Sequence, residues 1–476
     1  MRFLTCSISI AKPWDAESQP LHKYTPMSHP LTQEDKELLL LRRKLHLLLK
    51  TGQMLIESLA DTSRVTRNMK RAAAFLGIPE EKLHIHVSYT MLLVNISDEK
   101  HSVSKFQKCE KHSVNMQAIT DISHLSWRAI REDYSLDKYE EELKKIEHQK
   151  RNYSPMATAV MAGFACGGFC KLFGCDWMAF FFASLCAMIG FRLRFHCIRL
   201  GINHYMSVTI AAFASTILAY ATSKSGLSST PYHPLLACAL FIVPGVPIIN
   251  FVDDMISDYL VVGFTRFLNC TVTLTAMAFG IMFALHVLSG ENVTIAESFG
   301  ELSMVPHDTY FIYAVAAAIS AVGFSFIFNI PRKLLWFIAL GGALAVCTRN
   351  FVNFELGYGP IFGSFVGAFL VSLIGIKAVH WFNVPNHTFT IPMVIPMIPG
   401  VLIYRCLLAL ITMKGVVGEV TNATYNGMNA ALIILCISIG VAVPKIFIRR
   451  FLGQKRQLKL QQQLAERKAR GKFLEW

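Results

Sequence analysis

The stretch FIVPGVPIIN, residues 241–250, places two prolines and a glycine inside a long apolar run. The stretch MVIPMIPGVLIY, residues 393–404, carries the same interruption. Proline removes a backbone N–H and clashes with the preceding turn, and glycine relaxes the backbone, so both runs are predicted to form broken helices. In a membrane, such breaks expose backbone groups that can bind a solute near the midplane. For each break taken alone, a simple kink is the alternative.

The composition of the whole chain is that of a membrane protein. Its 476 residues are 53% hydrophobic and 16% charged, whereas a soluble domain carries about 25% charged residues. Residues 1–152 are rich in charge, and apolar runs dominate from Ser154 to about Ile448. We therefore predict an α-helical polytopic membrane protein with an N-terminal cytoplasmic α+β domain.

The apolar runs predict about ten transmembrane helices, because a spanning helix needs roughly 20 apolar residues. The two interrupted stretches are the fourth and ninth of these spans. The predicted spans cover residues 155–173, 177–195, 203–222, 234–253, 262–289, 309–329, 333–348, 358–379, 389–408 and 425–448.

The distribution of Lys and Arg predicts the orientation. An even number of spans puts both termini on one side, and positive residues mark the cytoplasmic side. Basic residues cluster before the first span, after the second and sixth spans and in the tail, whereas residues 290–308 contain none. We predict a multi-pass protein of the cytoplasmic (inner) membrane with both termini in the cytoplasm. The basic tail would touch anionic lipid, and no motif for nucleic acid accompanies it.

The domain boundaries follow from the same pattern. Before the spans, helices are predicted from Thr32 and over 62–77, 115–132 and 135–149, with strands near 84–96 and 102–108. The predicted segments are a mobile N-terminus (1–33), the α+β domain (34–152), two five-span repeats (153–290 and 308–448) and a basic cytoplasmic tail (449–476).

The two halves of the apolar region share one numerical offset. Pro244-Gly245-Val246 recurs as Pro399-Gly400-Val401, from position 244 to position 399, a shift of 155 residues. The same shift of 155 pairs Gly168-Phe169 with Gly323-Phe324 and Arg194 with Arg349. Two repeats of five spans each would enter the membrane from opposite sides, so the pattern predicts an inverted repeat of the kind found in secondary transporters.

Five motifs of the chain resemble those of the threonine/serine exporter (ThrE) family. The motifs are TGQMLIESLADTSRVTRNMKRAAAFLGI (51–78), HIHVSYTMLLVNIS (84–97), FACGGFCKLFGCDWMAFFFASLCAMIGFRLR (164–194), FIVPGVPIINFVDDM (241–255) and IPMVIPMIPGVLIY (391–404). The resemblance extends over about residues 35 to 450. The family includes a bacterial two-subunit succinate exporter, and the two halves that can be separate polypeptides look fused here.

The resemblance implies a secondary transporter that exports small metabolites from the cytoplasm, driven by the proton gradient. Amino acids of the threonine and serine type are the first substrate class, and small dicarboxylates such as succinate are the alternative. A passive channel of the same architecture, a receptor and a membrane-embedded enzyme remain open as alternatives. The partners expected are the small-molecule substrate, protons and the lipid bilayer, with a homo-oligomer left open.

Candidate residues for binding or translocating the substrate lie at the breaks and at rare charged positions. Half-helix N-termini favour a carboxylate, an arginine can bind one bidentately, and an amide or hydroxyl can hydrogen-bond the solute. These candidates are Pro244, Gly245, Pro247, Asn250, Asp254, Pro396, Pro399, Gly400, Tyr404, Arg194 and Arg349. Packing of Tyr404 and snorkelling of Arg194 to the cytoplasmic surface are the structural alternatives.

Four carboxylates are candidates for proton coupling: Asp254, Asp176, Glu355 and Glu419. An acid in or near the membrane is costly unless it is paired or hydrated, which makes it a functional candidate. Asp254 falls where the resembling motif carries its acidic residue, and the alternative is an acid at the membrane interface. Asp176 lies in the GCDW link, where the alternative is a helix N-cap.

Other chemistries find little support in the sequence. The chain has no G-x-S-x-G nucleophile motif and no Walker A motif, so neither an enzyme nor an ATP-driven pump is predicted. His84 and His86 share one face of a predicted strand without a third ligand in view, so we predict no metal and no cofactor. The twelve scattered cysteines are interpreted as small buried side chains.

Overall fold

A computed structural model of the chain describes residues 32–97, 102–288, 308–412 and 417–469. Residues 1–31 of the predicted mobile segment, most of the predicted loop 290–308 and the tail beyond residue 469 lie outside the described residues. The chain divides into two compact units, Met1–Lys44 and Leu45–Trp476. In the first unit, the described residues are Thr32, which caps helix α1 (Gln33–Glu57) together with Asp35, and the first turns of that helix.

The elements before the spans alternate helices with a small sheet. Helix α2 (Thr62–Phe75) leads to strands β1 (Leu83–Val87), β2 (Met91–Ser97) and β3 (Ser102–Lys108), and helices α3 (Met116–Arg131) and α4 (Leu136–Glu147) follow. The strands form an antiparallel sheet in the order β1-β2-β3. Alternate residues of β2 are buried, as expected for a sheet covered on one face. The single predicted strand 84–96 is therefore two strands joined by a turn.

Eight continuous helices among the described residues are long and apolar enough to cross a membrane, and the total is ten if each of two bent helix pairs forms one span. The continuous candidates are Pro155–Leu172, Trp177–Arg199, His204–Ser223, Leu260–Leu288, Tyr310–Ile327, Arg332–Glu355, Gly359–Val379 and Val417–Phe447. We name the helices that carry them α5 (Pro155–Leu172), α6 (Trp177–Arg199), α7 (His204–Ser223), α10 (Leu260–Leu288), α11 (Tyr310–Ile327), α12 (Leu335–Asn350), α13 (Gly359–Phe382) and α16 (Val417–Ala469). The prediction of a polytopic helical membrane protein is confirmed.

The two bent pairs lie at the positions of the two predicted broken spans. In the first, α8 (His233–Ala237) and a 3₁₀ turn at Leu240–Ile242 meet α9 (Gly245–Ile256) at 59°. In the second, α14 (Asn386–Val394) and a 3₁₀ turn at Ile395–Met397 meet α15 (Gly400–Thr412) at 58°.

Proline and glycine produce the same backbone turn at both breaks. The N–H of Gly245 donates to the carbonyl of Val243, and the N–H of Gly400 donates to that of Ile398, each at 2.8 Å. A helix begins after each turn, so the breaks are sharp corners rather than gentle kinks.

Helices α5 and α11 pack closely through small residues. A Cβ added to Gly168 would lie 2.7 Å from the carbonyl oxygen of Ala316, and one added to Gly323 would lie 2.7 Å from Cβ of Ala165. Small residues let membrane helices approach backbone to backbone. The contact is reciprocal, because each helix supplies a glycine to the backbone of the other.

The elements before the spans are hydrogen-bonded to the membrane helices. The N–H groups of Met116 and Gln117, at the start of α3, donate to the carbonyls of Phe328 and Asn329, which follow α11. The Asn329 side chain also donates to Asn115 at 2.8 Å and accepts from the Asn152 N–H. The end of α11 thus meets the start of α3, an arrangement that the helix dipoles favour. The predicted domain boundaries at 33, 152, 290 and 448 stay predictions.

Candidate translocation site

The two breaks face each other across a small, mostly apolar cavity. Every lining residue in one half has a counterpart in the other half at the same shift of 155 positions. The lining consists of Phe169 with Phe324, Leu240 with Ile395, Val243 with Ile398 and Gly245 with Gly400. A Cβ on Gly245 would press on Ile395 and Ile398, and one on Gly400 would lie 2.7 Å from Leu240. The glycines therefore allow the two breaks to touch.

The helix ends at this cavity favour an anion, through N–H groups other than those of Gly245 and Gly400, which donate to Val243 and Ile398. The N–H groups in the first turn of a helix have no partner within that helix, and the helix dipole makes that end positive. Both α9 and α15 begin at the cavity, at Gly245 and Gly400. Pro247 lies in the first turn of α9, where its missing N–H costs no helical bond. Pro396 belongs to the 3₁₀ turn before the second break, and Tyr404 is buried one turn after it.

The far end of α9 holds a buried ion pair. Asp254 lies 3.2 Å from the Arg266 guanidinium of α10, and the two side chains are 1% and 2% exposed. The other partner of Asp254 is Thr62, which donates from its N–H at 2.8 Å and from its hydroxyl at 2.9 Å. Asp254 therefore binds the start of α2 to α10, and it does not lie in an exposed loop.

The link between α1 and α2 is seated against α9 and α10. Asn250 donates to the carbonyl of Leu59 at 2.8 Å, and Arg266 donates to that of Ala60 at 2.7 Å. Leu59 adopts a positive φ of 61°, a conformation that non-glycine residues rarely take. The link is therefore held in one conformation by side chains of the membrane helices.

Beside this link lies a cluster of four ionisable side chains, Asp61, Asp253, His387 and Lys445, which we call the inner cluster. Lys445 Nζ lies 3.2 Å from Asp253 Oδ1 and 2.5 Å from His387 Nε2. His387 Nε2 lies 3.7 Å from Asp253 and 3.9 Å from Asp61. All four side chains are at most 10% exposed.

Asp61 has a structural role as well, because it caps α2. Its carboxylate accepts from the N–H and the side chain of Arg64, both at 2.9 Å. Burial raises the pKa of this carboxyl, but the charges of Arg64 and Arg67 hold the pKa well below its ordinary value. Asp61 is therefore ionised at neutral pH.

The inner cluster has the spacing of a metal site but already contains a cation. The donor atoms of Asp61, Asp253 and His387 lie within 4.8 Å of one another, a distance that could hold a metal ion. The Lys445 ammonium, however, lies against two of these three side chains. A metal ion there would meet a like charge, so we assign none to the cluster.

Asp176 is tied into local structure away from the cavity. It caps α6 by accepting from the Ala179 N–H at 2.7 Å, and it accepts from the N–H and hydroxyl of Ser229 at 2.7 and 3.0 Å. Burial raises the pKa of Asp176, but these hydrogen bonds leave the pKa below its ordinary value. A carboxylate that stays ionised is a poor proton carrier, so the geometry favours the N-cap interpretation.

Replacing Asp176 should therefore act on stability. We expect Asp176→Ala to lower the free energy of unfolding by about 1–2 kcal/mol, because helix α6 loses its N-cap. The measurement is the melting temperature of the purified chain in detergent. Asp176→Asn is the matched control, since asparagine also caps helices and should retain most of the stability. Equal melting of Asp176→Ala and the unaltered chain would contradict the assignment.

The paired arginines do not line the cavity. Arg194 is half-buried on α6, and its Nε has no hydrogen-bond partner among the described residues. Arg349 is half-buried on α12, where it donates to the neighbouring Asn350 side chain at 3.1 and 3.2 Å. Their roles in binding the substrate stay predictions.

The two glutamates lie at helix ends. Glu355 is exposed at the end of a π-helical turn (Phe351–Glu355) that extends α12, and it accepts from the Tyr310 hydroxyl at 3.4 Å. Glu419 lies in the first turn of α16. The roles of both residues in proton coupling stay predictions.

Four of the ionisable partners at the C-terminal end of α9 were not predicted from the sequence. Arg266, His387 and Lys445 stand within or beside apolar runs, and ionisable residues in such places mark functional sites by default. That rule applied to every span would have identified these three residues. Asp61 precedes a helix in a charged region, where nothing in the sequence distinguishes it from an ordinary N-cap.

Comparison with known proteins gives the family. The model described as "Putative threonine/serine exporter" matches residues 46–288, and the model described as "Threonine/Serine exporter, ThrE" matches residues 313–447. The chain belongs to the threonine/serine exporter (ThrE) family. The resemblance found in the sequence is thus confirmed, and membership of ThrE indicates a membrane transporter rather than an enzyme.

A curated relative of this ThrE chain is "Probable succinate transporter subunit YjjP" of Escherichia coli (strain K12). It is 26% identical over 245 residues, which cover 51% of this chain and 93% of the relative. A subunit that corresponds to about half of this ThrE chain is consistent with a fused two-half form. No solved structure matches the chain.

Proposed function

We propose that this chain is a secondary transporter that exports small carboxylate-bearing metabolites from the cytoplasm, by proton antiport with alternating access. The observation that carries the proposal is the meeting of two broken spans at one cavity. Broken helices whose ends face a common site are how secondary transporters present backbone groups to a solute.

The cavity favours a solute with a carboxylate. Two helix N-termini, at Gly245 and Gly400, meet there, and each favours a negative group. The side chains that line the cavity are uncharged, so backbone groups would bind the solute. Small polar solutes with one or two carboxylates are consistent with this arrangement.

We propose further that the two halves are inverted repeats. Five spans separate equivalent positions, so the second half would cross the membrane in the opposite direction. Two observations support this relation. The residues that line the cavity form pairs at a shift of 155 positions, and α5 and α11 contact each other through equivalent glycines. Such a pair of repeats can open alternately to the two sides around a fixed central site.

The inner end of the site is closed in this state. The α1–α2 link covers the end of α9 through the bonds of Asn250, Asp254 and Arg266 to Leu59, Thr62 and Ala60. On the predicted orientation, the link lies on the cytoplasmic side. Opening toward the cytoplasm would require these buried bonds to break together.

Two substrate classes are to be compared. Threonine and serine are indicated by the family description. A dicarboxylate is the second candidate, because two equivalent helix N-termini suit two carboxylates and the Escherichia coli relative is described as a "Probable succinate transporter subunit". The test is efflux from cells that lack their own exporters, loaded with threonine dipeptides or with succinate, with and without a protonophore.

Expression of the chain should speed the efflux of one of the two solutes, and the protonophore should abolish the gain. Gly245→Leu, which we expect to transport slowly, is the matched control for expression. If efflux is faster with and without the protonophore, antiport is wrong and the chain is a passive channel. If neither solute leaves faster, export of this substrate class is wrong.

A further inference from the structure

The inner cluster joins four elements that must move if the transporter changes state. Asp61 comes from the α1–α2 link, Asp253 from α9, His387 from α14 and Lys445 from α16. Helices α9 and α14 belong to the two different broken spans. The cluster therefore connects both halves of the membrane region at their inner ends.

The contact between Lys445 and His387 sets the protonation of the imidazole when Lys445 is charged. An ammonium group has donors and no acceptor, so with Lys445 in this form His387 Nε2 is the acceptor in the 2.5 Å contact. The imidazole is then neutral and carries its proton on Nδ1. A neutral imidazole can take a further proton only on its unprotonated nitrogen, which is Nε2 here. The lone pair of this nitrogen already accepts the hydrogen bond from the Lys445 ammonium.

Two buried acceptors in the same place have no donor among the described residues. Asp253 Oδ2 and Asn250 Oδ1 accept no hydrogen bond there, and their residues are 6% and 1% exposed. A small cavity lined by Asp61, Asn250, His387 and Thr388 adjoins them. Buried polar atoms are normally satisfied, so these acceptors point to a donor that enters in another state.

We propose that the inner cluster is a proton-exchange site, in which the Lys445 ammonium and a proton alternate on His387 Nε2. In the closed state Lys445 donates to Nε2. When α16 moves away, the lone pair becomes free and takes one proton from water, which Asp61 and Asp253 stabilise. On closure the ammonium returns, and the proton leaves to water. This assignment rests on the proposed function, because the movement belongs to transport.

The charges around the cluster agree with this exchange. Arg64 lies 2.9 Å from Asp61, Arg67 lies 3.9 Å from it, and the Asp254–Arg266 pair is the next pair along the link. Arg64 balances Asp61 and Lys445 balances Asp253, whereas the Arg67 side chain is 44% exposed and its charge is screened by water. Withdrawal of Lys445 leaves a buried negative excess, and a buried uncompensated charge takes up an ion of opposite sign.

The test measures proton binding directly and needs no substrate. The purified full chain in detergent and choline chloride is titrated with acid from about pH 8 to about pH 5, the range in which histidine takes up a proton. A pH indicator counts the protons bound. The chains compared are the unaltered protein, Lys445→Met, Lys445→Arg and the double variant Lys445→Met with His387→Gln. Lys377→Met, at an exposed lysine outside the cluster, is the matched control.

We expect Lys445→Met to bind about one proton more per chain than the unaltered protein over this range. Lys445→Arg and Lys377→Met should bind no more than the unaltered protein, and the double variant should lose the excess. An equal count for Lys445→Met and the unaltered chain would overturn the proposal. An excess that survives His387→Gln would overturn it too, because another group would be the proton acceptor.

Failure of the proposed function and failure of the proton-exchange site give different experimental results. If the chain exports neither solute while Lys445→Met still binds the extra proton, the proton site stands and the substrate class is wrong. If Lys445→Met does not remain folded in detergent, His387→Gln alone gives the test. It should abolish protonophore-sensitive efflux while leaving passive exchange of labelled solute, and intact coupling in that variant would overturn the assignment.

Discussion

Asp254→Asn should lower the melting temperature of the purified chain by roughly 5–10 °C and abolish export. Asp254 and Arg266 are both almost fully buried, so the substitution leaves the guanidinium without a counter-charge. Removing one partner of a buried ion pair costs about 3–5 kcal/mol. The bond that holds Thr62 is weakened as well, which loosens the α1–α2 link.

The double variant Asp254→Asn with Arg266→Gln distinguishes the effect of an uncompensated buried charge on stability from the effect of altered packing. A neutral pair removes the uncompensated charge, so we expect most of the lost stability to return. Asp258→Asn is the matched control, because Asp258 is exposed and follows α9 in a conformation that asparagine also adopts. A melting temperature unchanged by Asp254→Asn would show that the pair is not formed in the folded protein.

Pro244→Ala combined with Gly245→Leu should reduce the transport rate by about 100-fold, the loss typical of a displaced binding group. Any side chain at position 245 would meet Ile395 and Ile398 of the second break. The substitution also lets α9 extend backward through the break, which removes the positive end of the helix from the cavity. The measurement is the initial rate of efflux at equal expression.

A substitution of the same size elsewhere is the control. Gly418, in the first turn of α16, has open space where a Cβ would be, so Gly418→Leu should leave the rate within about twofold of the unaltered chain. If the variant at the first break transports as fast as Gly418→Leu, the cavity between the breaks is not the substrate site.

The breaks were predictable from the sequence because they have local causes. Proline and glycine act on the turn in which they stand, so Pro244-Gly245 and Pro399-Gly400 mark their corners without knowledge of the fold. The spans were predictable for a similar reason, since apolar length is a property of a continuous segment. The seventh and tenth spans were the least exact, because a π-helical turn extends the seventh to Glu355 and the tenth begins at Val417, before the predicted start at 425.

The inner cluster was not predictable in the same way, because its contacts are long-range. Asp253 and Lys445 are 192 residues apart, and so are Thr62 and Asp254. Nothing in the sequence says that the α1–α2 link enters the membrane helices. Asn250 and Asp254 were predicted to bind the substrate because of their chemistry and their position near the break. The structure shows that they hydrogen-bond to the α1–α2 link and do not line the cavity between the two breaks.

Helix α16 extends far beyond the inner cluster. It continues without interruption from Lys445 to Ala469, which corresponds to a rod of about 36 Å beyond the cluster. A small tilt of the helix axis at Lys445 therefore displaces the far end of the helix by several ångströms. A spectroscopic label at the end of this helix would report the position of a single buried ammonium group.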